Sequence, residues 1–348
     1  MRALCLTPQQ TGSLRLAEDF PEPDESEGQV LVRGLAIGVC GTDREIISGE
    51  YGAPPPGATE LVLGHESLGE VISDSTGRYS PGQLVAGIVR FPDPVPCVNC
   101  AAGEWDMCRN GMFTERGIKA VHGFGRERWR AEPDFLVPLN ADLRDVGVLL
   151  EPTSVVAKAW EHIERIGARA TWRPDTVLVT GAGPIGLLAA MLGRQRGLNV
   201  HVLDRVTEGR KPELVAEIGA TYHATSVAEV PFEPDIIVEC TGASTIVLEV
   251  MDKVGPDGIV CLTGVSSAGR RVTADAGALN RALVLENNAV FGSVNANRRH
   301  WALAAEALGR ADQAWLGRLI TRRVGVTDYA DAFAAHPEDI KVLVDLQP

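Results

Sequence analysis

The sequence is short of basic residues, and it has no segment that would direct it to a membrane or to nucleic acid. Lysine and arginine number 33 against 46 aspartates and glutamates, so the formal net charge is −13 at pH 7. This charge disfavours nucleic acid and anionic membrane surfaces as partners. Met1–Leu14 lacks the basic region followed by an apolar core that marks a secretory signal. We therefore expect a cytoplasmic protein that binds neither nucleic acid nor membranes.

Internal repeats, low-complexity tracts and a disulfide framework are also missing. Seven cysteines in 348 residues are an odd number, which does not fit a set of paired disulfides. Cys5, Cys240 and Cys261 stand in apolar or strand-like contexts, where cysteine is usually a small buried hydrophobe. The other four cysteines need another explanation. With 45% hydrophobic residues the chain can bury a full core, and its length suggests about two domains.

What the sequence does contain is a dinucleotide-binding pattern between Asp175 and Asp204. A β-rich apolar run leads into a G-x-G-x-x-G turn, then a helix rich in Leu and Ala, a second strand and a terminal acid. The stretch Thr176–Gly193 is uncharged, but its three early glycines and its proline argue against a membrane span. The residues expected to contact the cofactor here are Gly181, Gly183, Pro184, Ile185, Gly186 and Asp204.

Alternating strands and helices continue beyond Asp204, as in a doubly wound parallel sheet. Three of these strands end in Thr-Gly or Ser-x-Asn, and ligands bind at the carboxyl ends of parallel strands. The further cofactor-binding residues expected there are Thr241, Thr263, Gly264, Val265, Ser293, Val294 and Asn295. Helices are predicted at Ser154–Ile166, Arg298–Leu308 and Val326–Phe333, and a closing strand at Ile340–Asp345.

The first 90 residues read as short strands with frequent turns, and they carry candidate ligands of a catalytic metal. Cys40-Gly41-Thr42-Asp43 is followed by Gly64-His65-Glu66. Cysteine, histidine and carboxylate are the ligand types of a catalytic zinc. The alternative is a buried thiol beside a core histidine.

A cysteine-rich loop follows. Cys97, Cys100 and Cys108 have the spacing of three thiolates at a structural zinc, for which Asp93 is a candidate fourth ligand. A metal-free loop with reduced thiols and a C-x-x-C redox pair are the alternatives. The redox pair is the weaker one, because the motif follows a proline-rich loop and not a strand.

Glu151 interrupts an apolar run just before a predicted helix. It is either an N-terminal charge that stabilises the helix dipole or a carboxylate that faces the metal.

Taken in this order, the motifs resemble those of a zinc-dependent medium-chain dehydrogenase over the whole chain. The stretches Thr114–Ile118, Leu150–Ser154 and Gly292–Asn297 are similar to the glucose 1-dehydrogenase branch. The resemblance implies an α/β fold with a GroES-like, β-rich catalytic domain at residues 1–153 and 296–348. It places a Rossmann NAD(P)-binding domain at 154–295, and it implies oxidation of an aldose at C1 to a lactone. The alternatives are a dehydrogenase of another polyol or secondary alcohol, and a zinc-free reductase or nucleotide-binding protein.

The resemblance also implies roles for single residues. Cys40, His65 and Glu66 match the positions of the catalytic zinc, with Glu151 as a ligand directly or through water, and Thr42 matches the hydroxyl that relays the substrate proton. Glu115 and Asn295 match positions that touch sugar hydroxyls, and Asn295 also lies near the nicotinamide. Cys97, Cys100 and Cys108 match three of four structural ligands, whereas Pro94 stands where the remaining cysteine is expected.

The cofactor and the assembly state are the last expectations. Asp204 can bond both ribose hydroxyls of NAD, while Arg205, with Arg210 and Lys211 downstream, can offset the repulsion of a 2′-phosphate. We therefore expect NAD to be preferred and NADP to be accepted. We also expect a small-molecule sugar substrate and a homo-oligomer, either a dimer or a tetramer.

Overall fold

The computed structural model describes residues 1–266 and 271–347. In the described residues the strands are β1 (Ala3–Leu6), β2 (Arg15–Ala17), β3 (Val30–Val39), β4 (Leu61–Val62), β5 (Glu66–Asp74), β6 (Leu84–Gly87), β7 (Arg90–Phe91), β8 (Thr114–Arg116), β9 (Ala120–Val121), β10 (Arg128–Ala131), β11 (Leu136–Pro138), β12 (Thr176–Thr180), β13 (Asn199–Leu203), β14 (Thr221–His223), β15 (Ile236–Glu239), β16 (Ile259–Leu262), β17 (Ala289–Gly292), β18 (Ile320–Gly325) and β19 (Lys341–Asp345). The helices are α1 (Gly41–Ser48), α2 (Val98–Ala101), α3 (Leu150–Gly167), α4 (Pro184–Gln195), α5 (Arg210–Glu217), α6 (Ser244–Lys253), α7 (Ala276–Leu285), α8 (Arg298–Arg310), α9 (Gln313–Leu319) and α10 (Tyr329–Phe333).

The chain forms two compact units, of which the first joins its two ends. Residues 1–154 and 296–348 make up this unit, and residues 155–295 make up the second. The ends meet because β19 pairs antiparallel with β3 and parallel with β18. Strand β3 thus has neighbours from distant parts of the sequence.

The first unit is built on a seven-stranded, largely antiparallel sheet. Its order is β11-β6-β5-β3-β19-β18, with β10 also paired to β3. Alternate residues of β3 face the core, so Val30 and Val32 are buried while Arg33 is exposed. Trp129 and Phe124 are among the large, fully buried side chains of this apolar core, and their rings are in edge-to-face contact.

The second unit is a six-stranded parallel sheet in the order β14-β13-β12-β15-β16-β17. The order reverses at β12, where the first crossover begins, as in a doubly wound nucleotide-binding sheet. Val177, Leu178 and Val179 of β12 are fully buried. A strand covered on both faces needs this continuous apolar run. The predicted α/β class, with a β-rich part and a doubly wound parallel sheet, is confirmed by this topology.

The glycine turn after β12 has the geometry that the sequence pattern predicts. Gly181 has a φ of 90°, in the left-handed region that glycine adopts without strain. A Cβ atom at Gly186 would overlap the carbonyl oxygen of Gly181, so only glycine fits there. Helix α4 begins directly after this turn, at Pro184.

Some element bounds differ from the predictions. Helix α3 begins at Leu150, four residues before the predicted start, because a 3-10 turn at Gly147–Leu149 leads straight into it. The sequence analysis did not predict α1, α7, α9 or β18. In the part of the chain that the structure describes, no helix has the length and apolar character needed to cross a bilayer.

Candidate active site

Cys40 and His65 are brought together by the pairing of β3 with β5. Gly38 of β3 lies opposite Glu66 of β5, so the residue after the end of β3 meets the residue before β5. The Cys40 Sγ atom is 3.1 Å from His65 Nε2. His65 is buried, and Cys40 is partly buried. This is the thiol and imidazole pair that the sequence predicted as metal ligands.

Asp43 orients both of these residues, a role that the sequence analysis did not assign. Its Oδ2 atom accepts a hydrogen bond from the Cys40 amide at 2.9 Å, and its Oδ1 atom lies 3.3 Å from His65 Nδ1. Burial opposes a charge on His65, but Cys40 and Asp43 outweigh it and raise the pKa of the imidazole well above its usual value. A carboxylate on Nδ1 leaves Nε2 to face a metal, as in many zinc sites.

Glu66 is paired with a buried lysine that comes from the other end of the chain. The Lys341 Nζ atom lies 2.7 Å from both Glu66 carboxylate oxygens, and it donates to the Val39 carbonyl at 3.2 Å. Gly38 makes room for this pair, because a Cβ atom there would overlap Glu66 Oε2. Burial disfavours the charge on Lys341, but the Glu66 carboxylate outweighs this and raises the pKa of the ammonium group.

Glu151 completes the acidic cluster from the first turn of α3. Ligand atoms of His65, Glu66 and Glu151 lie within 4.8 Å of one another. Burial raises the pKa of the Glu151 carboxyl to about 7, and the nearby Glu66 adds to the rise. Among the described residues, no side chain donates a hydrogen bond to this carboxyl group.

The donor set fits a divalent cation. Asp43, Glu66 and Glu151 place three carboxyl groups close to Cys40 and His65, and Lys341 is the only lysine or arginine among the described contacts of this cluster. Buried carboxylates are costly unless they are paired, protonated or bound to a metal. A bound cation would stabilise these carboxylates in their charged form, and thiolate, imidazole and carboxylate suit zinc. Thr42 lies in the first turn of α1 and is partly exposed.

The cysteine-rich loop gathers its three thiols as the spacing predicts. The Sγ atoms of Cys97, Cys100 and Cys108 lie within 4.8 Å of one another. Backbone amides of Arg109 and Cys100 lower the pKa of Cys97 to about 6, whereas burial raises that of Cys100 to about 11. The group does not include Asp93, whose carboxylate accepts from the amide of Val95 and from Asn110 Nδ2. The structure thus brings together three of the four candidate ligands.

The zinc content of the purified protein tests whether the cysteine-rich loop binds a metal. We expect purified protein to hold close to two zinc ions per chain, because the two ligand clusters are separate sets of residues. Cys97→Ala should lower the count to about one while part of the activity remains, since a structural site supports folding and not chemistry. One zinc per wild-type chain, measured by plasma emission spectroscopy, would contradict this.

Glu115 is buried, and it pairs with Arg90 on the neighbouring strand. Arg90 Nε donates to Glu115 Oε1 at 3.0 Å, and Arg90 Nη2 lies 2.9 Å from the same oxygen. The two residues stand directly opposite each other in the β7–β8 pair. Arg90 was missed by the sequence analysis, although an arginine next to the buried run Ala86–Val89 was a signal.

In the second unit, Asp204 stands directly after β13 and closes over the glycine turn. Its Oδ2 atom accepts from the Ala182 amide at 2.7 Å and from Lys211 Nζ at 3.2 Å, and its Oδ1 atom accepts from the Val206 amide. Burial opposes the charge on Asp204, but these donors outweigh it and lower the pKa of the carboxyl group. Arg205 is exposed.

The carboxyl ends of β15, β16 and β17 carry the other predicted cofactor residues. Glu239, fully buried at the end of β15, accepts hydrogen bonds from Thr241 and from the Gly242 amide, and its own carbonyl accepts from Thr263 Oγ1. Sequence reasoning missed this carboxylate as an organiser of the loops. The remaining residues lie as follows: Gly264 packs against Gly242, Val265 and Val294 are exposed, Ser293 is buried, and Asn295 has a φ of 62°. Asparagine adopts this left-handed conformation more readily than most other non-glycine residues.

Comparisons with known proteins agree with this architecture. The family described as "Glucose dehydrogenase C-terminus" matches residues 144–346, and the "Alcohol dehydrogenase GroES-like domain" matches residues 26–141. The chain is 39% identical to the glucose 1-dehydrogenase of Methanocella arvoryzae over 360 residues, which cover 99% of both chains. It is also 39% identical to that of Thermoproteus tenax over 354 residues, which cover 100% of both. The glucose dehydrogenase of Haloferax mediterranei, solved with NADP, Zn and gluconolactone, has a TM-score of 0.90 at 30% identity, with 100% of both chains covered.

The GroES-like and Rossmann parts and the ligand cluster together define a zinc-type medium-chain dehydrogenase, an NAD(P)-dependent oxidoreductase that acts on a CH–OH group. Within that class the chain belongs to the glucose dehydrogenase family. The resemblance inferred from the sequence is therefore confirmed.

Proposed function

We propose that the protein oxidises D-glucose, or a closely related aldose, at C1 to the lactone and transfers the hydride to NAD(P). The observation that carries the proposal is the cluster of Cys40, His65, Glu66 and Glu151, in which His65 and Glu66 are buried. It stands in a chain that is similar over its whole length to curated glucose 1-dehydrogenases. Residues 1–153 and 296–348 form the catalytic domain in this proposal, and 154–295 form the nucleotide domain.

Each residue of the site has a distinct task in this reaction. Cys40, His65 and Glu66 would hold the zinc, with Glu151 as a further ligand directly or through water. When bound, the metal acts as a Lewis acid that lowers the pKa of the anomeric hydroxyl. Thr42 would relay the hydroxyl proton, taking it on its oxygen while its own hydroxyl proton passes to solvent, and Asp43 keeps His65 in its orientation. The nicotinamide would accept the C1 hydride.

The sugar is oriented by groups that lie outside the metal cluster. Glu115 and Asn295 would bond sugar hydroxyls, and the pairing with Arg90 holds the Glu115 carboxylate in place. A buried polar group that loses its partner costs roughly 1–3 kcal/mol, so these two residues discriminate between sugars.

A panel of aldoses, deoxy-aldoses, polyols and simple alcohols tests the function. We expect lactone formation from D-glucose or a close epimer, and a kcat/KM lower by about 10- to 100-fold for an analogue that lacks a bonded hydroxyl. Protein treated with a chelator and then reloaded with zinc is the matched control, because it should lose and regain the same activity. Oxidation of simple alcohols with no turnover of any aldose would contradict the proposal and favour another alcohol as substrate.

The cofactor preference follows from Asp204. We propose that NAD is preferred and NADP accepted, with Asp204 bonding the ribose hydroxyls of NAD. The 2′-phosphate of NADP would meet this carboxylate with a repulsion on the order of 4 kcal/mol at 4 Å and an effective dielectric near 20. Lys211, which pairs with Asp204, and the exposed Arg205 offset part of that cost.

Steady-state kinetics with the two cofactors check this preference. We expect a higher kcat/KM with NAD than with NADP in the wild type, and a loss or reversal of the difference in Asp204→Ala. Glu208→Ala, which removes an exposed acid further along the same loop, is the matched control and should leave the ratio unchanged. A wild-type enzyme that prefers NADP tenfold would show that the basic residues dominate.

We also propose a cytoplasmic homo-oligomer, either a dimer or a tetramer. All seven cysteines are free thiols in the structure, which suits a reducing compartment. Strand β17 is the last strand of its sheet, and α7 exposes Val284 and Leu285 by more than three fifths. Edge strands and exposed apolar side chains are common at interfaces between identical chains. Light scattering on purified protein should give the mass of two or four chains.

A further inference from the structure

Arg90 contacts two parts of the first unit that otherwise have separate roles. Two of its guanidinium nitrogens face Glu115 Oε1 at 3.0 and 2.9 Å, and the third, Nη1, donates to the Asp106 carbonyl at 3.1 Å. The guanidinium carbon also lies 3.8 Å from the centre of the Phe113 ring. Arg90 and Glu115 are both buried, so the pair is shielded from solvent.

The Asp106 carbonyl belongs to the cysteine-rich loop. Asp106 lies in the 3-10 turn Trp105–Met107, immediately before Cys108. Asn99, which stands between Cys97 and Cys100, donates to the Met107 carbonyl at 2.7 Å. The position of the carbonyl that Arg90 bonds is therefore set by the fold of the loop around its three thiols.

A guanidinium group suits this bridging role. It is planar, and its N–H donors are fixed relative to one another. When one guanidinium nitrogen is hydrogen-bonded, the direction of the other N–H groups is therefore fixed as well. Lysine offers three donors on a flexible stem and no such fixed geometry. The carboxylate opposite is buried, so the loss of Arg90 would remove two buried, charged donors from it.

We propose that Arg90 is a positioning residue that holds Glu115 in its sugar-binding orientation and links that orientation to the fold of the cysteine-rich loop. The proposal rests on the role assigned to Glu115 under the proposed function. Arg90 itself touches neither sugar nor cofactor in this scheme. Its loss therefore acts on the KM for glucose, while kcat and the KM for the cofactor stay close to those of the wild type.

Arg90→Met and Arg90→Lys test the proposal by steady-state kinetics on the zinc-loaded enzyme. We expect Arg90→Met to raise the glucose KM about tenfold or more, because the guanidinium group that bonds Glu115 is lost. Arg90→Lys should raise the glucose KM less, because lysine keeps the positive charge. Lys119→Met is the matched control. The Lys119 ammonium lies 4.1 Å from the centre of the same Phe113 ring and donates to the Gly111 carbonyl, and this variant should keep the wild-type glucose KM.

A double-mutant cycle with Glu115→Gln separates this proposal from the proposed function. If Arg90 acts through Glu115, the double variant should have about the same glucose KM as Glu115→Gln alone. The positioning role would be overturned if the effects of the two substitutions on the glucose KM were additive. It would also be overturned if Arg90→Met left the glucose KM unchanged while Glu115→Gln raised it. If Glu115→Gln leaves the glucose KM unchanged, then the proposed sugar contact of Glu115 fails. If Arg90→Met does not fold, an unchanged glucose KM in Arg90→Lys overturns the positioning role.

The link between Arg90 and the cysteine-rich loop is tested by a separate measurement of the glucose KM. Cys97→Ala should raise the glucose KM several-fold in the wild-type background, and it should add nothing in the Arg90→Met background. An equal rise in both backgrounds would show that the loop acts on sugar binding by another route, and that the link through Arg90 is wrong.

Discussion

Replacing His65 with alanine should lower kcat by roughly a thousandfold or more and should remove the zinc that is needed for turnover. Cys40→Ser should have a similar effect on activity. The reason is that the Cys40 thiol and the His65 imidazole lie 3.1 Å apart, so the loss of either one removes a candidate zinc ligand from the same side of the cluster. Kinetics and metal analysis of the same preparations measure the two effects together.

His336→Ala is the control for this result. His336 lies on an exposed loop of the same unit, so this variant should keep its zinc and its activity. Circular dichroism should show that all the variants are folded. Wild-type turnover in either Cys40→Ser or His65→Ala would mean that the cluster is not the catalytic metal site.

Lys341→Met should lower the free energy of unfolding of the metal-stripped protein by about 3–5 kcal/mol, because it leaves the buried Glu66 carboxylate without a counter-charge. The pair is shielded on both sides, with Lys341 and Glu66 both almost fully buried. The double variant Glu66→Gln/Lys341→Met should recover much of the loss, since it removes both charges. Urea unfolding followed by circular dichroism measures these differences.

Arg323→Met is the matched control for the lysine variant. Arg323 on β18 pairs with Asp345 on β19, the strand that also carries Lys341, but this pair is exposed to solvent. Its loss should cost less than about 1 kcal/mol. If Lys341→Met costs as little as the control, the contact between Lys341 and Glu66 contributes no net stability.

The nucleotide-binding part of the fold could be predicted because its signals are local. Strand, glycine turn, helix, second strand and terminal acid follow one another within Asp175–Asp204, and each element depends on its own side-chain pattern. Helix α7 could not be predicted in this way. Its sequence AGALNRALVL is apolar on most sides, and none of its residues is buried, so it shows no one-sided pattern.

The candidate metal centre could be predicted only in part. Cys40 and His65 lie in short motifs flanked by glycine, and residue type alone marks them as ligands. Lys341 gave no comparable signal, because its contact with Glu66 spans 275 positions and depends on the register of β19 against β3. Arg90 likewise owes its role to a neighbouring strand, which a single sequence does not pair.

The insertion of β19 between β3 and β18 has a consequence for synthesis on the ribosome. Residues 155–295 form a continuous unit, so the parallel sheet can fold while the chain is still being made. The first unit cannot close until β19 has left the exit tunnel, and until then Glu66 lacks its lysine partner. The acidic cluster therefore reaches its final charge balance only late in synthesis, and metal loading of the native site follows translation of the nucleotide unit.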